Sequence, residues 1–155
     1  MGMDIAGIGN KEAYFRANVW SWRPIHVIID FVTEKYTLGI NTESFGFNDG
    51  AGVKRNELCI KLADGIKAEM EQFGLKDKED RIYIAIGSSW VTYPEGQFVT
   101  EKVVKENNLS EMSGILLHAP VASPSGLVVP SYSLTKEHLD EFCKFLRVCQ
   151  GFEIW

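Results

Sequence analysis

The chain lacks most of what would declare a function. Among its 155 residues are only three cysteines, Cys59, Cys143 and Cys149. They are odd in number and widely spaced, whereas a disulfide framework uses even numbers, so we read them as reduced thiols of a cytoplasmic protein. No apolar run approaches the ~20 residues that a membrane span requires. The opening MGMDIAGIGN lacks the basic start and apolar stretch of an export signal. Basic residues are in the minority: 16 Lys and Arg stand against 21 Asp and Glu, a net charge of -5. That balance excludes a sequence-independent binder of double-stranded nucleic acid, which needs a basic face. The three histidines, His26, His118 and His138, do not pair with one another at a spacing of three or four residues, and no cysteine lies at ligand spacing. We therefore expect no zinc site and no resident cofactor. Catalytic signatures are missing too. Gly87-Ser88-Ser89 lacks the second glycine of a nucleophile elbow, and the glycines at 50 and 52 lack the Lys-Ser/Thr ending of a P-loop.

What remains is an ordinary globular composition, 45% hydrophobic and 24% charged. We assign residues 1–155 to a single domain. The pattern predicts three helices. The first runs from a Ser21 cap to about residue 36, with Pro24 in its first turn and Ile25, Ile28, Ile29, Val32 and Tyr36 on one face. The second starts at an Asn56 cap, buries Leu58, Leu62, Ile66, Met70 and Phe73, and ends at Gly74. The third starts at Thr135, buries Leu139, Phe142, Cys143 and Leu146, and ends at Gly151.

Alternation predicts strands at residues 1–8, at Ile82, Ile84 and Ile86, and at residues 152–155. Lys11 to Asn18 reads as a short helical turn. Two hairpins are expected. One is around Pro94-Glu95-Gly96; the other joins residues 115–117 to 127–129 through Pro124-Ser125-Gly126. Residues 37–53, TLGINTESFGFNDGAGV, form a long loop of the kind that is often functional. Five to seven short strands with turns favouring antiparallel neighbours make the fold class α+β, with three main helices packed on a mainly antiparallel sheet.

Two clusters stand out chemically. Arg16, Asn18, Trp20, Trp22 and Arg23 crowd the start of the first helix, and aromatic faces and guanidinium planes are how proteins hold nucleobases. Asn48, Asp49, Gly50 and Gly52 lead into Lys54 and Arg55 at the start of the second helix. Glycines let backbone N–H groups approach an anion, and a helix N-terminus favours negative charge. The competing reading puts the tryptophans in the core, pairs the arginines with Asp4 or Asp30, and makes the glycine segment a plain connection.

The segments Met1-Gly2-Met3-Asp4, Tyr14-Phe15-Arg16-Ala17-Asn18-Val19-Trp20-Ser21-Trp22-Arg23-Pro24, Asn48-Asp49-Gly50 and Cys149-Gln150-Gly151-Phe152-Glu153-Ile154-Trp155 carry a resemblance. They resemble a family of small uncharacterised proteins of bacteriophages, prophages and bacteria. Its members often have Gly where this chain has Gln150. The resemblance spans roughly the first 70 and the last 20 residues and implies a setting, that of a phage or mobile-element accessory protein in the host cytoplasm, rather than an activity.

Together these features predict a non-catalytic protein, homo-oligomeric in one version of this reading. It captures a small anionic ligand, a nucleotide-type immune signal, between the tryptophan–arginine junction and the glycine loop. An alternative is an inhibitor or adaptor that binds a host protein through the residue 90–98 hairpin. A second alternative is a metal-assisted nucleotide hydrolase using Asp4, Asp49 or His118, with Glu153 converging on the two aspartates if the termini pair.

Overall fold

A computed structural model describes residues 2–84, 116–117, 121–123, 126–128 and 132–155. The expected hairpin at residues 90–98, Ile86, the Gly87-Ser88-Ser89 segment and His118 lie outside the described residues. In chain order the elements begin β1 (Gly2–Gly7), β2 (Tyr14–Asn18), α1 (Val19–Lys35), β3 (Gly52–Val53), α2 (Asn56–Gln72) and β4 (Arg81–Ile84). They continue β5 (Leu116–Leu117), β6 (Val121–Ser123), β7 (Gly126–Val128), β8 (Tyr132–Thr135), α3 (Lys136–Val148) and β9 (Phe152–Ile154). The class is α+β: among the described residues there are three helices, and the strand pairs are antiparallel throughout.

The two ends of the chain pair with each other. The principal sheet has the order β2-β1-β9-β3. Backbone bonds from Asp4 N to Trp155 O (2.8 Å) and from Trp155 N to Asp4 O (2.7 Å) extend the β1–β9 ladder. Side chains alternate across a strand, so one face carries Ile5, Phe15, Ala17, Val53, Phe152 and Ile154, all buried. The helices supply the facing half of the core. Phe142 lies 5.1 Å from Phe15 and 6.1 Å from Trp22, while Phe145 lies 6.0 Å from Phe152 between ring centroids. A second sheet has the order β5-β4-β8, and β6 pairs with β7.

Several expectations need correction. Lys11 to Asn18 holds no helical turn; from Tyr14 it is strand β2. The alternation of buried Ala13, Phe15 and Ala17 with exposed Tyr14, Arg16 and Asn18 has period two and fits a sheet edge. Helix α1 begins two residues before Ser21, because Asn18 is its cap and accepts from Ser21 N at 3.0 Å. Trp20 and Trp22 are therefore helical, and Pro24 sits past the first turn, where its missing N–H leaves the Trp20 carbonyl without its usual donor. Helix α2 has Arg55, not Asn56, at its cap position and no side-chain cap bond. Gly126–Val128 pairs with Val121–Ser123, and Leu116–Leu117 pairs with β4 instead.

The third helix follows its pattern: Thr135 accepts from His138 N at 3.2 Å. After that helix, Gln150 (φ 55) and Gly151 (φ 91) both take left-handed conformations to turn the chain into β9.

One polar group is packed between α1 and α2. Glu69 is 2% exposed. Its carboxylate accepts from Lys35 Nζ at 2.6 Å and from the Tyr36 hydroxyl at 3.0 Å. Those bonds hold Lys35 and Tyr36 above their ordinary values of 10.5 and 10.0. A raised value means that the folded state keeps its proton longer than the unfolded state. The stabilisation is complete below the ordinary values and is lost as pH rises through the folded ones. Unfolding free energy is thus expected to fall above about pH 10. Glu69→Gln is expected to flatten that fall, as read from urea titrations at successive alkaline pH values. An unchanged alkaline slope in the variant counts against this assignment.

Candidate functional site

The long loop is held to α1 by a ladder of side chains spaced four residues apart. Trp22 Nε1 donates to the Phe45 carbonyl at 2.6 Å, in the interior. His26 Nε2 lies 2.9 Å from the Thr42 carbonyl, which fixes its proton on that nitrogen. The Thr42 hydroxyl donates to the Asp30 carboxylate. Positions i, i+4 and i+8 share one helix face, so three rungs fasten residues 42–45 along α1. Phe45 closes the attachment by burying its ring 6.0 Å from Phe152.

Beyond Phe45 the chain leaves the surface of α1, and a cleft of about 360 Å³ opens between loop, helix and β1. Its apolar lining comes from Met3, Val19, Trp22 and Phe47, and its polar groups are Arg23, His26 and Asn48. Arg23 Nη1 donates to the Tyr132 hydroxyl at 3.1 Å. Among the described residues no carboxylate lies within ion-pair distance of it, so the remaining guanidinium donors are unspent. Asn48 Nδ2 donates to the Gly2 carbonyl at 3.3 Å, which leaves its Oδ1 as an acceptor.

The cleft brings Trp22, Arg23 and Asn48 together, from segments well separated in sequence. The other residues singled out in the sequence do not line it. Asn18 caps α1. Trp20 is 67% exposed, its ring 5.8 Å from that of Tyr132. Arg16 lies on the outer sheet face, 3.5 Å from the Asp4 carboxylate. Asp49 accepts from Ala51 N at 3.1 Å, closing a turn. Lys54 is exposed and Arg55 pairs with Glu57.

The glycines have a packing reason. A Cβ on Gly50 (φ 86) would lie 2.8 Å from the Trp155 ring, and one on Gly52 would lie 1.9 Å from the Phe152 carbonyl oxygen. Gly52 needs glycine because the β9 backbone runs against it, and Gly50 because residues with a side chain rarely adopt its positive φ.

Four of the named lining residues, Met3, Val19, His26 and Phe47, are not among the candidates the sequence pattern points to. The four-residue spacing of Trp22, His26 and Asp30 was the available signal for His26. For Phe47 there was none beyond its place in the long loop.

Two of the three carboxylates considered for acid–base work, Asp4 and Asp49, are already engaged. Asp4 accepts from the Tyr14 hydroxyl, which raises the tyrosine's pKa, and it faces Arg16. Among the described residues no three His, Cys, Asp or Glu side chains gather closely enough to hold a metal ion. Two of the three thiols are poor nucleophiles: burial pushes Cys143 up to about 12, and the neighbouring Cys149 thiol pushes Cys59 up, while Cys149 itself is lowered by Cys59 but is fully buried. A wider groove between β2 and α3, about 540 Å³, carries Glu12, Arg16, Glu141 and Lys144. Its mixed signs suit an anion less well than the cleft at Arg23. No described helix is long and apolar enough to cross a membrane.

Comparison with protein-family models, with curated proteins and with solved structures returned no match to this chain. Function is therefore argued from the cleft itself.

Proposed function

We infer that this is a non-catalytic binding protein that captures a small anionic ligand of the nucleotide class in the cleft beside α1. The observation that carries the reading is Arg23. It is a guanidinium with no carboxylate partner among the described residues, held by Tyr132 at the wall of a concave, partly apolar cavity. Such a cavity with a few convergent polar groups is the default site for a small ligand. A bidentate guanidinium suits a phosphate better than a neutral group.

The resemblance of the two ends to phage and prophage proteins supports an accessory role in the host cytoplasm. A protein that soaks up a nucleotide-type immune signal needs affinity and no turnover. Isothermal titration with nucleotides tests this. Arg23→Ala is expected to weaken binding roughly ten- to a hundredfold, the worth of one charge-assisted contact. Equal affinity in parent and variant would overturn the assignment.

The outer face of the principal sheet favours a second reading. Tyr14 and Trp155 stay more than half exposed there, and aromatic side chains are enriched where proteins meet. A host-protein adaptor or a homo-oligomer would use this face. Size-exclusion chromatography of Trp155→Ser against the parent tests self-association, and a purified candidate host protein tests the adaptor.

A further inference from the structure

We propose that the ligand is a single nucleotide unit, with its phosphate at Arg23 and its base stacked on Phe47 beside Asn48. This rests on the anionic-ligand reading and gives the ligand a size and an orientation. Phe45 and Phe47 are two residues apart, yet Phe45 is sealed in the core while Phe47 is 64% exposed on the cleft wall. An exposed phenylalanine alone is common. Here it adjoins an amide whose oxygen has no partner among the described residues, and it shares its cavity with a guanidinium whose donors beyond the Tyr132 bond have none there either.

Those three groups match the three parts of a nucleotide's recognition surface. A ring face stacks on any base. An amide oxygen accepts from the N–H groups on a base edge, and the bond from Asn48 Nδ2 to the Gly2 carbonyl fixes which end of the amide is free. A guanidinium binds the phosphate.

Among the described residues no second large aromatic offers a free face: Trp22 is 1% exposed, Trp20 does not line the cavity, and the His26 ring is held to the Thr42 carbonyl. The volume, about 360 Å³, lies at the small end of the roughly 300–1,000 Å³ typical of ligand sites. Among the described residues one base therefore has a platform, and the volume suits a single unit.

The test is titration calorimetry on the intact protein with AMP, GMP, CMP and UMP, and with ribose 5-phosphate, adenosine and cyclic di-AMP. At least one nucleoside monophosphate is expected to bind, with ribose 5-phosphate and adenosine each weaker by roughly tenfold or more. Phe47→Ala, a change at an exposed side chain, is expected to reduce nucleotide affinity to that of ribose 5-phosphate.

If ribose 5-phosphate matches the nucleotides and Phe47→Ala changes nothing, the base platform is wrong while the anion site stands. If adenosine matches AMP, the phosphate is not at Arg23. If cyclic di-AMP binds more tightly than every monophosphate, the single-unit claim fails. Absence of binding by every probe removes both this inference and the reading beneath it.

Discussion

Phe152→Ala is expected to lower the unfolding free energy by about 3–5 kcal/mol, the usual range for deleting a buried aromatic ring. Against a total of about 5–15 kcal/mol for a domain, that loss is decisive. Phe152 is fully buried on β9, which lies between β1 and β3. Its ring meets Phe45 of the long loop and Phe145 of α3, each 6.0 Å away. One side chain thus joins sheet, helix and loop. Collapse around the vacancy is obstructed, because the Phe152 backbone is pinned against Gly52.

Trp155→Ala, three residues on, is the control. Its ring is 52% exposed, and surface changes usually fall within about 0.5 kcal/mol. Urea titration of both variants measures the contrast. A Phe152→Ala midpoint close to that of Trp155→Ala contradicts the role given to β9.

The three helices were legible because their apolar spacing is strong: Ile25, Ile28, Ile29 and Val32 in α1, and Leu139, Phe142, Cys143 and Leu146 in α3 are all buried. The pairing of the termini was legible only as a condition. Strand β2 was misread although Ala13, Phe15 and Ala17 alternate, because the segment is short and leads straight into a helix.

The glycines show a different limit. Gly50 and Gly52 read as an anion cradle, and the folded chain adds reasons of its own: the positive φ of Gly50, and the Phe152 carbonyl, a group far along the chain, against Gly52. No local pattern displays such a contact.

The two tryptophans were separable in principle. Trp22 is in phase with Ile25 and Ile29 on the buried face of α1, and Trp20 is not. Reading the start of the helix at Ser21 hid that phase. Of the cleft, the sequence offered Trp22, Arg23 and Asn48. His26 and Phe47 depend on how the long loop is fastened, which only the folded chain determines.

That fastening gives the second large effect. Trp22→Ala is expected to cost about 3–5 kcal/mol through the lost ring. Trp22→Phe separates the hydrogen bond from the packing. Phenylalanine keeps most of the apolar contact with Phe142 but leaves the buried Phe45 carbonyl without its donor, a penalty of about 1–3 kcal/mol.

The penalty should be local as well as global. The Trp22 rung is the interior one of the ladder, and Phe47 and Asn48 follow directly on Phe45. Losing it frees the cleft wall before the sheet is affected. Amide hydrogen exchange is therefore expected to speed up over residues 42–48 in Trp22→Phe more than in β1 or α3, and ligand affinity to fall although Trp22 presents almost no surface to the cleft. Trp20→Phe should do neither, because Trp20 projects into solvent over Tyr132. If exchange rises uniformly in Trp22→Phe, the loop is not held by that bond. The cleft wall would then be a fixed part of the core, and Arg23 and Phe47 would keep their arrangement without the ladder.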